Sequence, residues 1–113
     1  MIDASCHCGA VRLEIARAPD TVTDCNCSIC RRLGTLWAYF RPDEVTVIAA
    51  RDATAPYIWG DRVLAFHHCR LCGCTTHWRN LDPKGDRMGI NARLLDPRGL
   101  EKARVRKLEG AAA

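Results

Sequence analysis

Cys25-Asn26-Cys27-Ser28-Ile29-Cys30 places three thiols within six residues. The chain runs on through Arg31, Arg32, Leu33 and Gly34 with no fourth cysteine or histidine close by. Three converging thiolates without a local fourth partner suggest a metal site with one open position, the feature that separates a catalytic zinc from a structural one. The other cysteines flank this stretch. Cys6 and Cys8 stand in Cys6-His7-Cys8-Gly9, and Cys69, Cys72 and Cys74 in His68-Cys69-Arg70-Leu71-Cys72-Gly73-Cys74.

Eight cysteines in 113 residues approach the density of a disulfide scaffold, so that use has to be weighed against metal. The spacing favours metal. Cys-x-Cys and Cys-x-x-Cys pairs recur beside glycine, as metal knuckles do, whereas disulfide frameworks spread their cysteines along the chain. Met1-Ile2-Asp3-Ala4-Ser5 has neither a basic n-region nor an apolar h-region. The expectation is a cytoplasmic protein whose thiols stay reduced. No apolar run approaches the ~20 residues of a membrane span; the longest uncharged stretches, such as Val45–Ala50, are strand-sized.

A formal charge of +4 invites a nucleic-acid reading. Two zinc ions would add +4 and seven thiolates −7, which takes that figure to +1. The arginines are also dispersed. Binding a polyanion would need Arg12, Arg17, Arg31, Arg32, Arg70 and Arg79 to share one face, and no dense basic run suggests that they do.

Outward from the thiols, the pattern is that of short strands. Val11, Leu13 and Ile15 alternate with Arg12 and Glu14, which predicts a half-buried strand. Thr21–Asp24 reads as an extended segment delivering the chain to Cys25, and Arg31–Gly34 as a helical turn ended by glycine. Thr35–Phe40, Glu44–Ala49, Thr75–Arg79 and Met88–Leu95 read as strands. Tyr57–Trp59 and Arg62–Cys69 read as a hairpin joined by the dipeptide Gly60-Asp61. Leu100–Leu108 is a helical turn or a last edge strand, and Gly110–Ala113 is expected to fray. About seven short strands between Gly/Pro/Asp turns argue an all-β domain of packed sheets, and 113 residues argue one domain, 1–113.

Pairing separated half-sites partitions the thiols. Cys6, Cys8, Cys69 and Cys72 make a closed four-thiolate zinc site of structural character. Cys25, Cys27 and Cys30 then form a second zinc site, left open and sometimes empty, where a substrate thiolate could complete the tetrahedron. Cys74 is either a fourth ligand to one of the zincs or a spare buried thiol. His7, His67, His68 and His77 are candidate fourth ligands or proton carriers, each to be weighed against an ordinary packed or surface histidine. Trp37, Tyr39, Phe40, Tyr57, Trp59 and Trp78 are core candidates, some of which would line a pocket near the three-cysteine stretch.

The ordered set Cys6-His7-Cys8-Gly9, Cys25-Asn26-Cys27-Ser28-Ile29-Cys30-Arg31-Arg32 and Cys69-Arg70-Leu71-Cys72-Gly73 resembles the glutathione-dependent formaldehyde-activating enzyme family, also called the centromere protein V family. The resemblance covers roughly residues 5–95 and implies an Mss4-like β-sandwich of short antiparallel strands built around zinc. It implies the same two zinc sites. It also implies a carbon–sulfur lyase-type activity, forming S-(hydroxymethyl)glutathione from glutathione and formaldehyde, with Cys25, Cys27 and Cys30 at the catalytic centre. Arg31 and Arg32, just after the last ligand, are candidates to hold substrate carboxylates in a bidentate fork or to balance the thiolate charge. The competing expectation is a non-catalytic, zinc-stabilised binding module whose second zinc is closed by Cys74 or a histidine.

Overall fold

The alternation at Val11, Leu13 and Ile15 does bury one face: all three are fully buried and Arg12 is exposed. In the computed structural model, which describes residues 1–109, they form the middle strand of a three-stranded sheet. The chain runs β1 (Ile2–Ser5), β2 (Val11–Ile15), β3 (Thr21–Cys25), α1 (Ser28–Leu33), β4 (Trp37–Phe40), β5 (Val45–Ala49), β6 (Thr54–Tyr57), β7 (Leu64–Cys69), β8 (Thr75–Asn80), β9 (Met88–Asn91) and β10 (Arg104–Leu108). One sheet has the order β1-β2-β5; the other is seven-stranded, β10-β3-β4-β9-β8-β7-β6. The expected all-β architecture is what forms.

The two sheets enclose the main core. Leu13 and Ile15 from the small sheet meet Val22, Ala38, Phe40 and Ile90 from the large one. Burying a side chain of this size contributes roughly 1.5–3 kcal/mol. Register keeps the apolar set inward, as where Ala38 stands opposite Ile90. A second apolar cluster, on Trp37, Phe66 and Trp78, lies beside Cys30 on the opposite face of the large sheet, since β4 sends Ala38 and Phe40 to the main core and Trp37 and Tyr39 to this one. Among the described residues no helix is long and apolar enough to cross a membrane.

Four details depart from the sequence expectations. The strand expected over Met88–Leu95 stops at Asn91, and Ala92–Leu94 form a 3-10 turn. The Asn91 side chain accepts from Arg93 N (3.2 Å) and Leu36 N (3.4 Å), offering the backbone an alternative to the ladder. The hairpin exists, but Gly60-Asp61 is not its whole connection. Tyr57 pairs with Phe66, and residues 58–63 lie between the strands. Trp59 O accepts from Arg62 N within that loop, where both Gly60 and Arg62 have positive φ. The strands are not all antiparallel either, since β10 runs parallel to β3. Finally, β1 forms without a strong strand signal, held by its register with β2 from Ile2↔Ile15 to Ser5↔Arg12. The end expected to fray, Gly110–Ala113, lies outside the described residues.

Candidate metal centres

Cys6 and Cys8 lie in the turn from β1 to β2, Cys69 ends β7, and Cys72 lies in the turn to β8. Their ligand atoms all fall within 4.8 Å of one another. Cys6 Sγ is 3.7 Å from Cys8 Sγ, which is 3.6 Å from Cys69 Sγ. A tetrahedron with zinc–sulfur bonds of ~2.3 Å has sulfurs roughly 3.8 Å apart, so the spacing and the soft donor set both fit zinc. All eight cysteines are free thiols.

Each half-site is a tight knuckle. Gly9 N donates to Cys6 O and Gly73 N to Cys69 O, with φ of 83° and 81° at the two glycines, a region that side-chain-bearing residues avoid. The turns aim N–H groups at sulfur. Val11 N donates to Cys6 Sγ at 3.3 Å. The backbone N–H groups of Cys74 and Cys8 push the Cys72 thiol down to about 5, so this sulfur is a thiolate at neutral pH. Cys74 belongs to this neighbourhood: half-buried, it packs on the cluster of Cys6, Val11 and Cys69, and its carbonyl accepts from Cys69 N.

The second group is built by a strand end and a short helix. Cys25 closes β3, Cys27 caps α1, and Cys30 sits in the first turns of the helix, 6% exposed. Cys27 Sγ accepts from Cys30 N at 3.4 Å. Gly34 N returns to Cys30 O, ending the helix at the glycine the sequence marked. Asn26 N donates to Leu108 O at 2.8 Å, so the parallel strand β10 braces the loop from behind. The three sulfurs again lie within 4.8 Å of one another, and among the described residues no fourth cysteine or histidine joins them.

The electrostatics of these sulfurs differ. Burial raises the Cys25 thiol and takes Cys30 up to about 12, against the opposing pull of the Trp37 indole N–H. Burial acts upward on Cys27 too, but the N–H groups of Cys30 and Ile29 and the neighbouring thiols bring it below the ordinary range. A metal must therefore displace a tightly held proton at Cys30, which makes binding pH-dependent.

The three thiols open into a cavity of about 800 Å³. Its floor is buried and aromatic, with Trp37, Phe66 and Trp78. Tyr39 and Trp59 also line it, as expected for some of the aromatics, whereas Phe40 lies in the main core and Tyr57 in a smaller groove. The mouth carries the exposed polar residues Asn80, Asp61, Asp86 and Arg87. The Arg87 guanidinium lies 4.6 Å from the Tyr39 ring centroid.

Arg31 and Arg32 are elsewhere. Both are exposed and neither lines the cavity; Arg32 donates to Ser28 O at 2.8 Å along its own helix. Arg87 is the cation that sequence reasoning missed. It follows a turn, has no motif around it, and comes to line the same cavity as the cysteines only through the pairing of β9 with β4 and β8. Among the described residues no histidine joins either group of ligand atoms, although His7 lies within the Cys6–Cys8 turn. His77 is 2% exposed and its ring stacks on His67 with centroids 4.7 Å apart. Their Nδ1 atoms pair with Thr76 Oγ1 (2.8 Å) and Thr54 Oγ1 (3.0 Å). His68 lines the smaller groove.

The sequence model of a family described as glutathione-dependent formaldehyde-activating enzyme matches residues 1–107. The crystal structure of a Rhodobacter sphaeroides protein is similar, with a TM-score of 0.76 and 29% sequence identity. That alignment covers 93% of this chain and 100% of the other.

Proposed function

Because the chain belongs to the glutathione-dependent formaldehyde-activating enzyme family, we propose that it is a zinc enzyme joining a thiol to an aldehyde. Glutathione and formaldehyde are the pair that the family's description names. The product class is a hydroxyalkyl thioether, and the reverse reaction is that of a carbon–sulfur lyase. Cys6, Cys8, Cys69 and Cys72 would hold a structural zinc, and Cys25, Cys27 and Cys30 a second one, in a cytoplasmic protein with reduced thiols. The observation that carries this reading is the second cluster: three thiols, no fourth donor beside them, and a cavity at the open side.

Zinc at Cys25, Cys27 and Cys30 would supply a fourth position that keeps a substrate sulfur deprotonated at neutral pH. The chain's own residues do the rest. Trp37 Nε1 holds the Cys30 sulfur in place at 3.3 Å. The aromatic floor gives the sulfur and the aldehyde carbon an apolar wall on one side, while the open mouth leaves water to carry protons. The thiol gives its proton to solvent, its sulfur lone pair forms the new bond to the carbonyl carbon, and the C=O π pair becomes an alkoxide that takes a proton from water. A non-catalytic module would instead need the second cluster closed, and among the described residues neither Cys74 nor a histidine lies there.

Native mass spectrometry tests the reading. Two zincs per wild-type chain, one in Cys27→Ser, and a glutathione adduct confined to the two-zinc form are expected. One zinc in both proteins and no adduct would overturn it.

A further inference from the structure

We propose that Cys74 is a modification site: it is the thiol that captures Cys72 after a hydroperoxide has oxidised it, closing a Cys72–Cys74 disulfide that opens the four-thiol metal site reversibly. The inference rests on the zinc assignment of Cys6, Cys8, Cys69 and Cys72 made above and is independent of the reaction at the other cluster. Among the described residues, Cys74 is the one cysteine of the eight that belongs to neither group of ligand atoms. It therefore keeps a free thiol when both groups hold metal.

Its surroundings are the cluster itself. Cys74 packs on Cys6, Val11 and Cys69, with Cys72 alongside. Its carbonyl accepts from Cys69 N at 2.9 Å, which fixes the main chain beside the ligands. The N–H of His7 faces its sulfur, and the Cys72 and Cys74 thiols lie close enough to act on each other's protons. Cα atoms two residues apart are separated by at most about 7 Å. The chain also bends between these two, at Gly73 with a φ of 81°. A disulfide spans roughly 4–7 Å between Cα atoms, so the pair can close without moving either strand.

Exposure selects Cys72. Cys6 and Cys69 are buried, so a reagent in solution reaches only Cys8 and Cys72 among the four ligands. A ligating sulfur is a thiolate, the form that attacks peroxide. Only Cys72 has, two residues on, a thiol whose lone pair no metal holds. The Cys72 sulfur attacks one peroxide oxygen, the O–O bond breaks, and the departing alkoxide or hydroxide takes a proton from water. Cys72 is left as a sulfenic acid. The Cys74 sulfur then attacks the Cys72 sulfur, the S–O bond breaks, and hydroxide leaves with the Cys74 proton as water. Two electrons have passed from the sulfurs to the peroxide. Cys72 no longer offers a ligand, and the tie between β2 and β7 loosens. A thiol reductant reverses the bond. Without Cys74 the sulfenic acid runs on to a sulfinic acid, which thiols do not reduce.

The test uses the zinc-loaded full chain, with Cys27→Ser alongside to isolate the four-thiol zinc. Each is treated with hydrogen peroxide and then dithiothreitol, while zinc is counted by native mass spectrometry and tryptic peptides are mapped. Cleavage after Arg70 and Arg79 isolates residues 71–79, which hold Cys72 and Cys74 and no other cysteine. That peptide is expected to lose two hydrogens in step with loss of the four-thiol zinc, and both changes to reverse when reductant and zinc are supplied. With Cys74→Ser or Cys74→Ala the peptide is expected to gain oxygen instead, and the zinc regained to fall about tenfold. Two replacements of different polarity separate lost chemistry from a packing effect. A disulfide from Cys72 to Cys8 or Cys69 in wild type, or full recovery of zinc in both Cys74 variants, overturns the inference and leaves the zinc assignment standing. A Cys72–Cys74 disulfide that forms with the zinc still bound, or no zinc in untreated Cys27→Ser, overturns the assignment and the inference with it.

Discussion

The indole Nε1–H of Trp37 donates to Cys30 Sγ at 3.3 Å, and both residues are buried. The bond joins the three-cysteine cluster to the cavity floor through one side chain. It stabilises the charged form of a sulfur whose thiol burial takes up to about 12. Trp37→Phe keeps most of the packing and removes the donor, which is worth about 1 kcal/mol or a little under one pH unit. Loss of a donor to the thiolate raises the thiol further, so cobalt loading of the second site should move to higher pH by about half a unit or more. An unchanged loading midpoint would show that the bond does not act on the sulfur.

The four-thiol cluster ties the start of β2 to the end of β7, two strands that lie in different sheets. Metal binding energy there is folding energy. Chelation of wild type, or Cys69→Ser, should lower the melting temperature by about 10 °C or more, because each kcal/mol is worth several degrees in a domain of this size. Cys27→Ser should cost much less, since its cluster faces a cavity rather than joining the sheets. Comparable losses in calorimetry would argue against the division of roles.

His77 is buried against His67 and pushed down to about 3 from 6.5, chiefly by burial. The native state therefore resists a proton that the unfolded chain accepts. Stability from this group is complete above pH 6.5 and falls as the pH drops toward 3. Between neutral pH and pH 5, wild type should lose about 2 kcal/mol relative to His77→Gln. Comparing the two proteins removes the acid sensitivity of the thiolates, which both share. Parallel stability curves in denaturant at pH 7 and pH 5 would contradict the assignment.

Gly89 lies under Trp78. A methyl group at that position would run into Trp78 Nε1 and stand 2.6 Å from Cε2, so the indole would have to shift. Gly89→Ala should destabilise the fold by roughly 1–3 kcal/mol and shift tryptophan emission as the cavity wall moves. A variant as stable as wild type, with unaltered emission, would mean that the wall adjusts freely.

Much of this protein follows from local chemistry. Ligand spacing is short-range, so the thiols of Cys25, Cys27 and Cys30 meet wherever the strand end and helix are placed, and Gly34 ends that helix on its own account. Alternation at Val11, Leu13 and Ile15 likewise predicts its own burial, because side chains point to opposite faces with a period of two. The tertiary structure decided what no local pattern carries. Sheet order brought Arg87, after β8, over Tyr39 in β4, and placed β10 parallel beside β3 to brace the cysteine loop. It put Cys74 with the four-thiol cluster, stacked His77 on His67, and left Arg31 and Arg32 on the outside of α1. Strand neighbours far apart in sequence are chosen by how whole faces pack, and that choice builds a cavity from residues that share no motif.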